Sequence, residues 1–166
     1  MLTRVVVPGY FETMAIRLAA GRWFSEQDGT PNGERAVIVN ETFAKRFWPG
    51  VNPVGKRLRF RFGPNAPWIN VVGVAGDVKH YGLEEQVRPG VYFPMPQVPR
   101  DAMVVVIRSA IEPTTLVSAA REVLRQLDSE LPMFEIRTMG QRMDGSIWMR
   151  RLYSRLLGVF SIVSLA

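Results

Sequence analysis

Glycine and proline residues divide this chain into short apolar segments. The side-chain patterns of successive segments are alternately typical of a strand and of a helix. Residues 4–7 ("RVVV") and 35–40 ("RAVIVN") are rich in β-branched side chains, which favour strands. Asn40 then stands where a helix N-cap is expected, ahead of "ETFAKRFW", and Pro49 and Gly50 follow that segment as a stop signal. The sequence therefore predicts an α+β fold in which a mixed sheet is combined with short helices.

The middle and the end of the chain continue this alternation. Arginine alternates with apolar residues in "RLRFRF" (57–62), which predicts a half-exposed strand with arginine on its solvent face. A longer strand is predicted at 68–78, where Gly73 indicates a bulge or a close backbone approach. Other strands are predicted at 91–95, 102–109 and 133–138. Helices are predicted at 10–18 and 112–128. Thr138 and Gln141 have the spacing of a capping box, which predicts a further helix from about Met139. Residues 1–149 are expected to form this domain. The strand-rich part at about 55–100 is a candidate sub-lobe, so an arrangement in two lobes stays open.

The chemistry open to this chain is narrow because it contains no cysteine and a single histidine, His80. Disulfides, thiolate metal sites and cysteine nucleophiles are thereby excluded, and a lone histidine has no second imidazole with which to share a metal ion. Glu84 and Glu85 are adjacent, so their carboxylates diverge instead of facing one substrate. Ser146 lies in no hydrolase motif. We therefore expect no catalytic residue, no cofactor-binding residue and no metal ligand, and a protein that is not an enzyme.

The segment "GVNPVGKR" (50–57) is similar to the sequence motif of a phosphate-binding loop. Such a loop joins a strand to the N-terminus of a helix and places a serine or threonine hydroxyl on magnesium. Here a predicted helix comes first, a predicted strand follows, and Arg57 occupies the hydroxyl position. The segment is therefore interpreted as a helix-to-strand connection.

Positive charge is concentrated near the end of the chain. The formal net charge is +6, and only Asp144 opposes the arginines at positions 137, 142, 150, 151 and 155. The uncharged run "LLGVFSIVSLA" (156–166) follows, which is shorter than the roughly 20 residues that a membrane-spanning helix needs. Residues 150–166 are therefore predicted to be a juxtamembrane segment and the truncated start of a transmembrane helix. The alternative is an amphipathic helix that packs on the domain. Arg142, Arg150, Arg151 and Arg155 are predicted to couple that helix to the domain near the lipid headgroups. Nucleic acid is not an expected partner, because arginine and phenylalanine in 57–62 would face opposite sides of a strand.

Four blocks, in this order, resemble the extracytoplasmic core domain of bacterial permeases of the MacB and FtsX class: residues 5–28, 36–60, 71–95 and 135–147. The resemblance covers nearly the whole chain. It implies a domain that lies between the first transmembrane helix and the other three, in a subunit of an ABC-type transporter of the bacterial inner membrane.

This resemblance also implies partners and a function. The partners would be a cytoplasmic ATPase subunit or domain, a second permease copy, the membrane, and, as an open point, a periplasmic protein. The domain would be non-catalytic and would couple ATP-driven movement of the membrane helices to the periplasmic side, for efflux or mechanotransmission. The alternative is a soluble extracytoplasmic binding module for a small ligand or protein, for which a deep pocket lined by Trp23, Trp48 or Trp68 would be expected.

Overall fold

The computed structural model describes residues 1–60, 66–78 and 86–142. The described residues up to Ile107 form one compact unit, and those from Arg108 onward form a second. The predicted boundary at residue 149 lies outside the described residues and stays a prediction.

A mixed sheet of six strands forms the centre of the first unit. The strands are β1 Leu2–Val6, β2 Leu18–Gly21, β3 Ala36–Asn40, β4 Arg57–Leu58, β5 Ile69–Ala75 and β6 Gly90–Pro94. Their order is β1-β6-β3-β5-β2, with β4 also beside β5. β1 runs parallel to β6 and β3 parallel to β5, whereas the other pairs are antiparallel. The predicted α+β class with a mixed sheet is confirmed, and the strands of the predicted middle sub-lobe lie in the same sheet as β1 and β3.

The pairing gives this sheet two ends. At the first end, Leu2 pairs with Gly90 and Asn40 with Ala75. At the second end, Val6 pairs with Pro94, Ala36 with Asn70, and Leu58 with Ile69. Strands of five residues place the two ends about 15 Å apart.

Both faces of the sheet are covered, which is why all five residues of β3 are buried. Ala36 and Ile38 lie in a cluster with Phe11 from helix α1 (Tyr10–Thr13). Val37 and Val39 point the other way and lie in a cluster with Phe43 from helix α2 (Glu41–Phe47). A strand buried on both sides reads as a continuous apolar run, as "AVIV" does.

The helix predicted at residues 10–18 is wrong in length. α1 ends at Thr13, and Leu18 is the first residue of β2. Ala15 takes a left-handed conformation (φ 52°), and the N–H of Ile16 donates to the carbonyl of Phe11, which closes the helix without a glycine. Pairing of β2 with β5 overrides the helical spacing of this segment.

Gly73 has the role that its place inside β5 predicts. The pairing of β5 with β3 shifts there, so that Val72 is the extra residue of a bulge. A methyl group on Gly73 would collide with the carbonyl oxygen of Arg22. The bulge and the close approach therefore occur at neighbouring residues, Val72 and Gly73.

The segment "GVNPVGKR" is a helix-to-strand connection, as interpreted from the sequence. It joins α2 to β4, and Gly50 and Gly55 both have a positive φ, at 72° and 81°. The N–H of Gly55 donates to the carbonyl of Val71 at 2.8 Å, which docks the connection on β5.

Two of the predicted strands are wrong. Residues 102–109 and 133–138 are not in strands in the described chain, and most of their apolar side chains are exposed, such as Phe134 at 73%. Strand-like composition yields a strand only where a neighbouring strand takes up its backbone hydrogen bonds. Helix α3 (Leu116–Leu127) confirms the helix predicted at 112–128, and single 3₁₀ turns cover Met95–Gln97 and Pro113–Thr115.

Candidate functional site

Hydrogen bonds at the first end of the sheet fix the start of α2. The carboxylate of Asp77, just beyond β5, accepts from the backbone N–H of Thr42 at 3.0 Å and from its hydroxyl at 2.7 Å. Glu41 accepts from Arg17 at 2.7 Å. Negative side chains at this position also complement the positive end of the helix dipole. This network holds Asp77, two residues beyond the end of β5, against the start of α2.

Asn40 is the buried centre of the same end. Only 2% of this residue is exposed. Its Oδ1 accepts from the N–H of Phe43 at 2.9 Å and from the N–H of Gly90 at 2.8 Å, and its Nδ2 donates to the carbonyl of Arg88 at 3.0 Å. The predicted N-cap is confirmed, and the same side chain also joins β3 to the start of β6.

A buried carboxylate organises the loop after β2. Asp28 accepts from Nη1 and Nη2 of Arg22 at 2.6 and 2.9 Å, and from the N–H and hydroxyl of Ser25 at 2.7 and 2.9 Å. The Arg22 guanidinium, aided by the Ser25 donors, holds the pKa of Asp28 below its usual range, although burial opposes this. Nη1 of Arg22 also donates to the carbonyl of Trp23 at 3.0 Å, so the cluster serves the loop conformation.

Tyr92, which is buried, and Tyr10, which is half-buried, are neutral packing groups. Burial raises the pKa of Tyr92 to about 12, and burial also raises the pKa of Tyr10. The ring of Tyr92 meets that of Phe11 edge-on, with centroids 5.0 Å apart. Neither phenol ionises near neutral pH, so neither is suited to act as a base there.

The three described tryptophans do not line one pocket. Trp23 stacks on Phe11 at 4.3 Å on one face of the sheet, and Trp48 packs near Phe43 at 5.9 Å on the other face. Trp68 lies at the second end, immediately before β5, and is 55% exposed. The three tryptophans therefore lie in three separate places, and a deep pocket lined by any one of them stays a prediction of the binding-module alternative.

Trp68 lies against the two arginines that alternate with apolar residues in 57–60. The guanidinium carbons of Arg57 and Arg59 lie 5.9 and 5.2 Å from its ring centroid. Leu58 and Phe60 pack against the core on the α2 side. The predicted separation into an apolar and an arginine face is confirmed for residues 57–60. Trp68 could not be placed beside these arginines from the sequence, because only the antiparallel pairing of β4 with β5 brings it back to them.

The predicted coupling residues begin where the described chain ends. The Thr138 N–H donates to Oε1 of Gln141 at 2.9 Å and the Gln141 N–H donates to Oγ1 of Thr138 at 3.2 Å, so the predicted capping box is confirmed. The helix begins at Met139 and carries Arg142, which is exposed. Arg150, Arg151 and Arg155 lie outside the described residues, as do His80, Glu84, Glu85 and Ser146.

In residues 1–60, 66–78 and 86–142, no group of three or more aspartate, glutamate or histidine side chains is arranged to hold a metal ion. Over the same ranges, the helices are too short or too polar to cross a bilayer.

Comparison with known proteins gives one family. A family model described as "MacB-like periplasmic core domain" matches residues 2–127. A curated relative, the "Probable syringafactin export ATP-binding/permease protein SyfD" of Pseudomonas syringae pv. tomato, is 37% identical over 71 residues, which are 43% of this chain and 10% of the relative.

Two solved structures share the fold. The periplasmic region of MacB from Actinobacillus actinomycetemcomitans has a TM-score of 0.55 at 19% identity, over 89% of this chain and 63% of that one. A domain from Porphyromonas gingivalis, assigned to a permease protein, has a TM-score of 0.50 at 18% identity, over 83% of this chain and 69% of that one. The chain thus spans about a tenth of the curated relative and somewhat under two thirds of the MacB periplasmic region.

Proposed function

We propose that this chain, which belongs to the family of MacB-like periplasmic core domains, is the non-catalytic extracytoplasmic domain of an ABC-type permease in the bacterial inner membrane. In this proposal, ATP is hydrolysed by a cytoplasmic ATPase subunit or domain, and a second permease copy completes the transporter. The domain couples movement of the membrane helices to the periplasmic side, for efflux or mechanotransmission.

The observation that carries this proposal is the family match over residues 2–127, which starts with β1 and ends with α3. β1 begins at Leu2, at the first end of the sheet. A membrane helix N-terminal to Met1 would therefore join the domain at that end. The hydrogen bonds of Asn40 and Asp77 join the elements at the same end.

The exit toward the membrane is proposed to run through the helix that begins at Met139. Its reciprocal capping box fixes the helix start, so a displacement of the helix is passed to the preceding backbone instead of being absorbed by fraying. Arg142 is the first of the four proposed coupling residues. Arg150, Arg151 and Arg155 follow in sequence, directly before the apolar run 156–166, which suits contact with anionic headgroups.

Location is tested by labelling, which the absence of cysteine from this chain makes simple. Ser118, exposed on α3, is changed to cysteine in the full-length permease. A membrane-impermeant maleimide is expected to label Ser118→Cys in right-side-out membrane vesicles and to leave it unlabelled in sealed inside-out vesicles. Labelling of the unsubstituted permease in parallel measures the background from cysteines outside this chain. The opposite sidedness would refute an extracytoplasmic location.

Coupling is tested with the same label. In the reconstituted transporter, ATP is expected to change the labelling rate at Ser118→Cys, and the triple change Arg150→Gln/Arg151→Gln/Arg155→Gln is expected to abolish that response while ATP hydrolysis continues. The control is Arg121→Gln/Arg125→Gln, which removes two exposed arginines from α3. A triple variant that responds to ATP as the control does would contradict the proposed role of these arginines.

A further inference from the structure

A basic and aromatic patch lies at the second end of the sheet. It consists of Arg57, Arg59 and Trp68 and is called the Trp68 patch below. Both guanidinium carbons lie within 6 Å of the indole centroid, at 5.9 and 5.2 Å, while 55% of Trp68 is exposed. This distance is within the range of a favourable cation–π contact.

Strand pairing and a contact between aromatic rings hold the patch in place. Leu58, between the two arginines, pairs with Ile69 of β5. Phe60, the next residue of the apolar face, has its ring centroid 5.4 Å from that of Phe93. A side chain whose backbone and stacking are already fixed loses less conformational entropy on binding. The Trp68 patch is therefore preorganised.

Its two positive charges lack a carboxylate partner in the described chain. The ion pairs found there join Arg17 to Glu41 and Arg22 to Asp28. The carboxylate of Glu34 accepts from Nδ2 of Asn70, the residue that pairs with Arg57, at 3.2 Å. Two guanidinium groups that form no ion pair with the described residues, beside an exposed indole, form a surface complementary to negative charge.

We infer that the Trp68 patch is a docking surface for an acidic segment of a partner protein. Tryptophan and arginine are the residues most enriched at the energetic centres of protein interfaces, and the planar guanidinium binds carboxylates with two parallel hydrogen bonds. Small-molecule sites are concave and bury most of their ligand, whereas this indole projects from a strand end.

The choice of a protein over a lipid surface rests on the proposed function. If a membrane helix precedes Met1, the membrane lies at the first end of the sheet. The Trp68 patch is at the second end, about 15 Å farther out, which exceeds the Debye length at physiological ionic strength. The patch would then face the periplasm and not the headgroups.

The test uses the 166-residue chain and a short fluorescein-labelled peptide of alternating glutamate and leucine, with binding followed by fluorescence anisotropy. The peptide is expected to bind with an affinity that falls as salt rises. The double change Arg57→Gln/Arg59→Gln is expected to weaken binding at least about tenfold, and Trp68→Ala severalfold. The matched control Arg121→Gln/Arg125→Gln removes the same charge from α3 and should leave the affinity unchanged. Since the three patch side chains are exposed, circular dichroism spectra and urea midpoints should match those of the unsubstituted chain.

Three outcomes would overturn the inference: no binding of the peptide, equal weakening by the patch and control variants, or binding to phosphatidylglycerol vesicles that requires the patch and exceeds binding to the peptide. The last outcome would assign the patch to a lipid surface. None of them changes the labelling result at Ser118→Cys, so failure of this inference and failure of the proposed function are distinguished.

Discussion

Replacing Asn40 by alanine should destabilise the first unit more than any change of an exposed polar residue. The substitution removes an acceptor shared by the N–H groups of Phe43 and Gly90, and the donor to the carbonyl of Arg88. Loss of an N-cap costs about 1 kcal/mol. A buried N–H left without a partner, as at Gly90, costs about 1–3 kcal/mol more. The expected total is therefore about 2–4 kcal/mol.

Urea unfolding followed by tryptophan fluorescence measures this loss, because Trp23, Trp48 and Trp68 all lie in the first unit. With an m-value of about 2 kcal/mol/M, a loss of about 3 kcal/mol lowers the midpoint by about 1.5 M. Asn52→Ala is the matched control. Asn52 is exposed and its side chain accepts one hydrogen bond, from the N–H of Val54 at 3.1 Å, so its loss should cost about 0.5 kcal/mol or less.

Hydrogen exchange separates this mechanism from a general loss of packing. In Asn40→Ala, the amides of Gly90 and Phe43 should lose protection selectively, whereas the amide of Val71, which donates to Lys56, should change only with global stability. A midpoint shift no larger than that of Asn52→Ala would refute the reasoning. Unchanged protection at Gly90 would also refute it.

Three further changes test other parts of the fold. The Arg22 guanidinium holds the pKa of Asp28 below its value in the unfolded chain. Ionised Asp28 therefore stabilises the fold at pH values above the unfolded-state pKa. This contribution is lost as the pH falls through the folded-state pKa. The stability gap between the unsubstituted chain and Asp28→Asn, measured by urea unfolding, should therefore shrink between about pH 7 and about pH 3; a constant gap would contradict the ion pair's role. Gly73→Ala should lower the free energy of unfolding by about 2 kcal/mol or more, because its methyl group meets the backbone of Arg22. Gly140→Ala, with space around it, should not lower it. Similar midpoints for the two variants would be inconsistent with the close approach. Ala15→Gly should raise the thermal midpoint, with a gain of about 0.5 kcal/mol from relief of the left-handed conformation. Destabilisation by that change would show that φ 52° carries no strain.

Features that depend on neighbouring residues were predictable from the sequence. Asn40 and the Thr138–Gln141 pair were identified as caps because a cap requires only a side chain and backbone groups two or three residues away. β3, β5, β6 and α3 have apolar patterns that match their surroundings, and Gly73 marks its own bulge. Of the candidate coupling residues, Arg142 lies on the confirmed helix start, and the role of the four arginines stays a prediction.

Features that depend on pairing between distant residues were not predictable. Residues 10–18 have helical spacing, yet pairing with β5 makes Leu18 a strand residue. Residues 102–109 and 133–138 have strand composition but no strand partner in the described chain. The segment 57–60 predicted an arginine face, and only the hairpin into β5 placed Trp68 against it.

The sequence by itself thus determined the α+β class, the caps, the turns and the narrow chemistry of a chain with one histidine and no cysteine, because these follow from residue type and short-range geometry. The tertiary structure alone decided the sheet order, the length of α1, the second role of Asn40 and the Trp68 patch. The physical reason is that a backbone hydrogen bond or a ring contact between residues far apart in sequence forms only when the fold brings both partners together.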